Sequence, residues 1–136
     1  VITDMKQQAV NEIVALHQFF QQWYRGELSA DAFDRFEQAL DAEFLIITPD
    51  GNVLSRARIL DAVRLQAGTD TSVSLEIRNV ETVVVDDSVA VFRYEEWQSS
   101  ASDAPRGRLS TVIFRRQHTG DNGLSWLQVH ETWLPE

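Results

Sequence analysis

Between Asp4 and Tyr24 the apolar residues Ala9, Ile13, Leu16, Phe20 and Trp23 recur at alternating steps of four and three, which lays one stripe along an amphipathic helix. Asp4 can cap its start and Gly26 can end it. His17 adjoins the stripe, with Phe20 and Tyr24 one turn away on either diagonal. By the tendency of amphipathic side chains to snorkel, it reads as a border histidine with its polar tip in water. A second, shorter helix is predicted after Ser29, burying Phe33, Phe36 and Leu40, and the chain turns extended at Phe44. "FLIITPDGNVL" reads as a hairpin whose Thr48, Pro49, Asp50 and Gly51 suit a type I turn. Ser55 can cap a third helix that buries Ile59, Leu60 and Val63 and is closed by Gly68.

Past Gly68 the pattern shifts from a helical period to alternation. "SVSLEIRNVETVVV", "VAVFRYEEWQ", "RGRLSTVIFRRQ" and "LSWLQVHETWL" read as four long strands, joined by a turn at Asp86 and Asp87, the loop "SSASDAP" and the turn "HTGDNG". Helices first and antiparallel strands afterwards argue an α+β fold with helices covering one face of a curved antiparallel sheet. The strand from Val89 puts Val89, Val91, Arg93, Glu95 and Trp97 on one face and Ala90, Phe92, Tyr94 and Glu96 on the other. The last strand puts Trp126, Gln128, His130 and Thr132 opposite Leu127, Val129, Glu131 and Trp133. Both faces carry aromatic and branched residues, as when one packs on the protein's own helices and the other on a partner subunit.

The 136 residues suit one domain, residues 1–136, without repeat or linker. A hydrophobic fraction of 43% with 24% charged residues fits a globular protein rather than a disordered one. No apolar run approaches a membrane span, the start has no signal pattern, and the absence of cysteine excludes a disulfide framework. These features are compatible with the cytoplasm. A net charge of -9 disfavours nucleic acid, whose binding draws on cationic groups. No nucleophile motif, phosphate loop or metal spacing is present, so neither cofactor nor metal is expected. His118, in the last turn, reads as solvated.

The order of three helices and a hairpin followed by long strands, together with "PRGRLSTVIFRR", a glycine-containing turn and "WLQVHETW", resembles the nuclear transport factor 2-like (NTF2-like) superfamily. The likeness is nearest to the SnoaL-like and DUF4440 groups and more distant to the association domain of calcium/calmodulin-dependent kinase II. That resemblance implies a cone-shaped, cystatin-like α+β barrel, its bent sheet wrapped around the first helix, with a pocket at the wide end and commonly a homodimer. It also implies that Arg93 and Val112 face the concavity, which brings in Glu95, Trp97, Arg108, Ser110, Trp126, Gln128 and His130. Val112 and Thr132 depart from the association-domain pattern, which has an arginine and often a histidine there.

On this reading Glu95 or His130 is a general base and Arg93 stabilises an oxyanion, in isomerase, cyclase or dehydratase chemistry on a small, partly apolar molecule. Phe20, Trp23, Tyr24, Trp97, Arg108, Ser110, Val112, Trp126 and Gln128 line the pocket. Leu127, Val129, Trp133, Phe92 and Tyr94 are left for the dimer interface. The alternative is a non-catalytic ligand-binding or association module.

Overall fold

A computed structural model describes residues 2–117 and 122–136; His118 and the rest of the predicted turn up to residue 121 lie outside them. Helix α1 (Ile2–Arg25) comes first, followed by a 3-10 turn (Ala30–Phe33) that runs into the short helix α2 (Asp34–Ala39). Strands β1 (Leu40–Ile47) and β2 (Val53–Ser55), helix α3 (Arg56–Arg64) and strands β3 (Ser74–Val85), β4 (Val89–Ser99), β5 (Arg106–Arg116) and β6 (Leu124–Trp133) complete the chain. The strand order is β2-β1-β6-β5-β4-β3. All neighbours are antiparallel except β1 and β6, which run parallel. The sheet is therefore mixed, a correction to the antiparallel expectation: β1 lies beside the last strand and closes the helical half of the chain onto the sheet. It is α+β, curved and open at both edges.

Local chemistry accounts for most boundaries. Gly26, at φ 77°, ends α1 in the left-handed conformation glycine adopts without strain. Ser55 Oγ accepts the Arg58 amide at 3.3 Å and so caps α3. Ser29 makes no such bond, and the chain enters α2 through the 3-10 turn instead. The Gly51 amide donates to Thr48 O at 2.9 Å, as the predicted turn requires, and Asp86 Oδ1 accepts the Ser88 and Val89 amides at 2.8 Å each to close the turn before β4.

The sheet bends around α1. Its inner face gives Ala90, Phe92 and Tyr94 from β4, Val112 and Phe114 from β5, and Trp126 and Val129 from β6, all buried in one core cluster with Ala9, Ile13 and Leu16 of α1. Register shifts mark bulges in β3, between Arg78 and Glu81 and between Thr82 and Val84, and in β6 opposite Ile113 and Phe114. Such insertions increase local bend and twist. In β6, Trp126 pairs with Phe114 and Gln128 with Ile113, so Leu127 is the extra residue.

Candidate functional site

His17 lies on the face of α1 turned to the sheet and is 5% exposed, not a border residue. Its Nδ1 stands 2.7 Å from the Ile13 carbonyl. A carbonyl oxygen only accepts, so Nδ1 carries the hydrogen. Nε2 is then left facing Glu96 Oε1 at 2.9 Å, and a single proton between them defines the pair. Burial would lower the histidine's pKa, but the Glu96 carboxylate outweighs it and holds the imidazole above its usual range. Burial likewise pushes Glu96 up, yet the His17 charge and hydrogen bond, with Arg108 behind them, keep it below the ordinary carboxylate value. Imidazolium and carboxylate is therefore the favoured form. Phe20 and Tyr94 meet the His17 ring edge-on, at 5.5 and 5.7 Å between centroids.

A second carboxylate faces the same space. Glu131, on β6, is 6% exposed, and Arg108 Nη1 donates to its Oε1 at 3.2 Å. Here burial wins: it raises the Glu131 pKa, Arg108 opposes it, and the nearby Glu96 charge adds to the rise. With its amide oriented to suit both ends, Gln98 Oε1 accepts from Arg108 Nε at 3.2 Å and Nη2 at 3.1 Å. Arg108 is thus held on both sides. Burial also drives the Tyr24 and Tyr94 phenols well upward, so both stay protonated.

These groups form one end of a cavity of about 230 Å³ bounded by α1, α2, α3 and the inner face of the sheet. Its remaining wall is largely apolar, with Phe20, Phe36, Phe44, Ile59, Leu75 and Trp126 among the lining residues. Phe20 and Tyr24 stack at 5.9 Å with 9° between their planes. Two carboxylates, one imidazole and one guanidinium in an apolar setting can exchange a proton with a bound molecule and stabilise the charge that develops.

Of the pocket-lining residues expected from sequence, Phe20, Tyr24, Arg108 and Trp126 border this cavity. Ser110 and Val112 are buried on the inner face but do not reach it. Trp23 packs beneath, its indole donating to Val63 O at 2.8 Å. The expected catalytic set is corrected by position. Arg93 is exposed and bonds Glu81 at 3.0 Å, and Glu95 accepts from Trp97 Nε1 at 2.8 Å and Asn79 at 3.0 Å, all on the outer face. His130 is exposed and pairs with Thr111, while Gln128 shares that outer face. The expected interface is corrected too. Phe92, Tyr94 and Val129 belong to the monomer's core, and the Arg106 and Arg108 guanidiniums lie over Trp133 at 3.5 and 4.8 Å. Leu127 is half-buried at the bulge.

Both corrections have simple causes. On β4 the aromatic parity is the buried one, and Glu96 follows Phe92 and Tyr94 onto the inner face. On β6 the extra residue Leu127 breaks strict alternation, so Trp126 and Glu131 point the same way although five positions apart. Another buried acid, Glu12, serves packing: Arg35, Asn122 and the Trp126 indole donate to it at 2.8 to 2.9 Å.

The sucrose-6-phosphate phosphohydrolase C-terminal family matches residues 9–135. The chain belongs to that family. Its fold is NTF2-like: an NTF2-like protein of unknown function from Pseudomonas aeruginosa is 29% identical, with a TM-score of 0.87 over 94% of this chain and 99% of that one. A candidate dehydratase of the NTF2-like family from Streptomyces avermitilis is 18% identical, with a TM-score of 0.73 over the whole of both chains. A candidate calcium/calmodulin-dependent kinase II association domain from Exiguobacterium sibiricum is 15% identical, with a TM-score of 0.64 over 96% and 93% of the two chains. No curated protein matches the sequence of this family member. None of its helices is long and apolar enough to cross a membrane among the described residues.

Proposed function

We propose that this protein binds a small, partly apolar organic molecule in the cavity and moves a proton on it, as in isomerisation or dehydration. The observation that carries the reading is the convergence of the buried His17–Glu96 pair and Glu131 on one apolar cavity. The two carboxylates have pKa values pushed apart, which separates their roles. Glu131, the more basic, exchanges the proton, while the Tyr24 hydroxyl, which burial keeps protonated, donates to the substrate oxygen. The description of one structural neighbour as a candidate dehydratase agrees in reaction class.

A generic substrate tests this. The protein should accelerate conversion of 3-cyclohexenone to its conjugated isomer, followed by absorbance. Glu131→Gln should remove at least about a hundredfold of that acceleration, the usual size of a positioned acid–base contribution. Glu95→Gln and His130→Gln should leave it intact. No acceleration of this or related ring ketones sinks the proton-transfer reading.

We also propose a homodimer through the outer face of β3 to β6. Val91, Leu109 and Ile113 are half-buried there and Val84 is 50% exposed, and one neighbour is described as an association domain.

A further inference from the structure

We infer that the ligand of this cavity is a neutral, single-ring molecule carrying a carbonyl or hydroxyl group, and that anions, phosphorylated sugars included, are kept out. The inference rests on the reading of the cavity as a ligand site and narrows it to a chemical class.

Every cation in the wall is already neutralised. His17 is engaged by Glu96 at 2.9 Å, and Arg108 by Glu131 at 3.2 Å and by Gln98 at 3.1 and 3.2 Å. Against one guanidinium and one imidazole stand two carboxylates. A carboxylate or phosphate entering here would lose its hydration and meet no free positive charge, a cost binding does not recover. The approach is unfavourable as well, because the chain carries a net charge of -9.

Size and surface set the rest. A cavity of roughly 150 Å³ admits benzene. The cavity of about 230 Å³ has room for a ring with a short substituent. Its flat walls include the stacked Phe20 and Tyr24 rings. At the polar end the Tyr24 hydroxyl makes no hydrogen bond among the described residues, and Glu96 and Glu131 each use Oε1 alone. The one donor suits a carbonyl oxygen, and the two free acceptor oxygens suit a hydroxyl.

Isothermal titration of the full chain with para-hydroxyacetophenone and para-hydroxybenzoate isolates charge, since the two differ little in size. The ketone should bind at least about tenfold more tightly than the carboxylate, and glucose 6-phosphate should give no heat. Glu131→Gln removes the negative charge that balances Arg108, so the folded variant, checked by thermal melting, should bind the carboxylate about tenfold better than wild type does. If that variant fails to fold, the wild-type comparison decides. Equal or tighter binding of the carboxylate or the sugar phosphate by wild type overturns the inference, as does a folded Glu131→Gln that gains nothing. Isomerisation of 3-cyclohexenone without the charge preference would overturn the class assignment while leaving the proton-transfer reading standing. Binding of none of the three probes overturns both.

Discussion

His17 and Glu96 are not equivalent partners, and substitution should expose the asymmetry. Removing the imidazole strands a buried carboxylate, so His17→Ala should cost about 3–5 kcal/mol in a urea titration near neutral pH. Glu96→Gln is different. The carboxamide can donate to Nε2 while Nδ1 keeps its bond to Ile13 O, so neutral histidine remains satisfied and the loss should stay near 1 kcal/mol. The pH dependence then separates the two forms. With the His17 pKa raised in the folded state, its contribution is fully present below 6.5 and is lost as pH rises through the raised value. Glu96, lowered from 4.5, contributes above that value and loses its contribution as pH falls through the depressed one. Glu131, raised from 4.5, stabilises at low pH and loses that contribution as pH rises. The groups facing His17 are Tyr24 of α1, Tyr94 and Glu96 of β4, Arg108 of β5 and Glu131 of β6, and only Glu96 is altered in the variant. The stability difference between wild type and Glu96→Gln should therefore shrink as pH rises above 6.5. A difference independent of pH between 6 and 9 would mean that His17 is neutral beside Glu96, where 6 and 9 are approximate bounds of the window.

At the scale of elements, the helices and turns were legible because their signals are local: the stripe on α1, the Ser55 cap, the turn at Pro49 to Gly51. The faces of the strands were not, because alternation carries no origin. On β4 the apolar run Ala90, Phe92 and Tyr94 marked the buried parity, and choosing Arg93 as the inward residue put charge against apolar evidence. On β6 no reading of period two could succeed along the whole strand, since the bulge at Leu127 resets the phase. Likewise the parallel β1–β6 pair joins segments far apart in sequence. His17 was missed because a histidine beside an apolar stripe cannot disclose that a glutamate of a distant strand waits for it. The outer face offers a separate test. A Cβ on Gly107 would fall 2.8 Å from Trp97 Cε2 and 2.9 Å from Leu134 Cδ1. Trp97 is tethered to Glu95 by its indole and lies under the Arg78 guanidinium at 4.8 Å. Gly107→Ala should therefore cost about 1–3 kcal/mol through overpacking, read as a shift of the urea midpoint. Binding of the ketone probe should be unchanged, because Trp97 faces away from the cavity. A drop in affinity alongside the stability loss would show that β5 transmits the strain to Arg108.

For the whole molecule, the inner side of the sheet is committed to α1 and the cavity, and the outer side carries half-buried Val91, Leu109 and Ile113 among Thr111, Gln128 and His130. Two copies meeting there would hide the apolar positions, but each brings a net charge of -9. Hydrophobic burial and long-range repulsion thus act against each other, and salt weakens only the second. Charges separated by more than about 8 Å are largely screened at physiological ionic strength. Association should therefore tighten as salt is raised, the reverse of an interface held by ion pairs. Light scattering at fixed protein concentration should show the mass moving toward twice that of the chain, and Ile113→Arg should hold it at the chain mass without altering the ketone affinity. A wild type that stays at the chain mass in high salt would remove the outer face as an interface. Tightening in low salt instead would move the contact to the charged pairs Arg93–Glu81 and Arg78–Glu76 at the β3 edge.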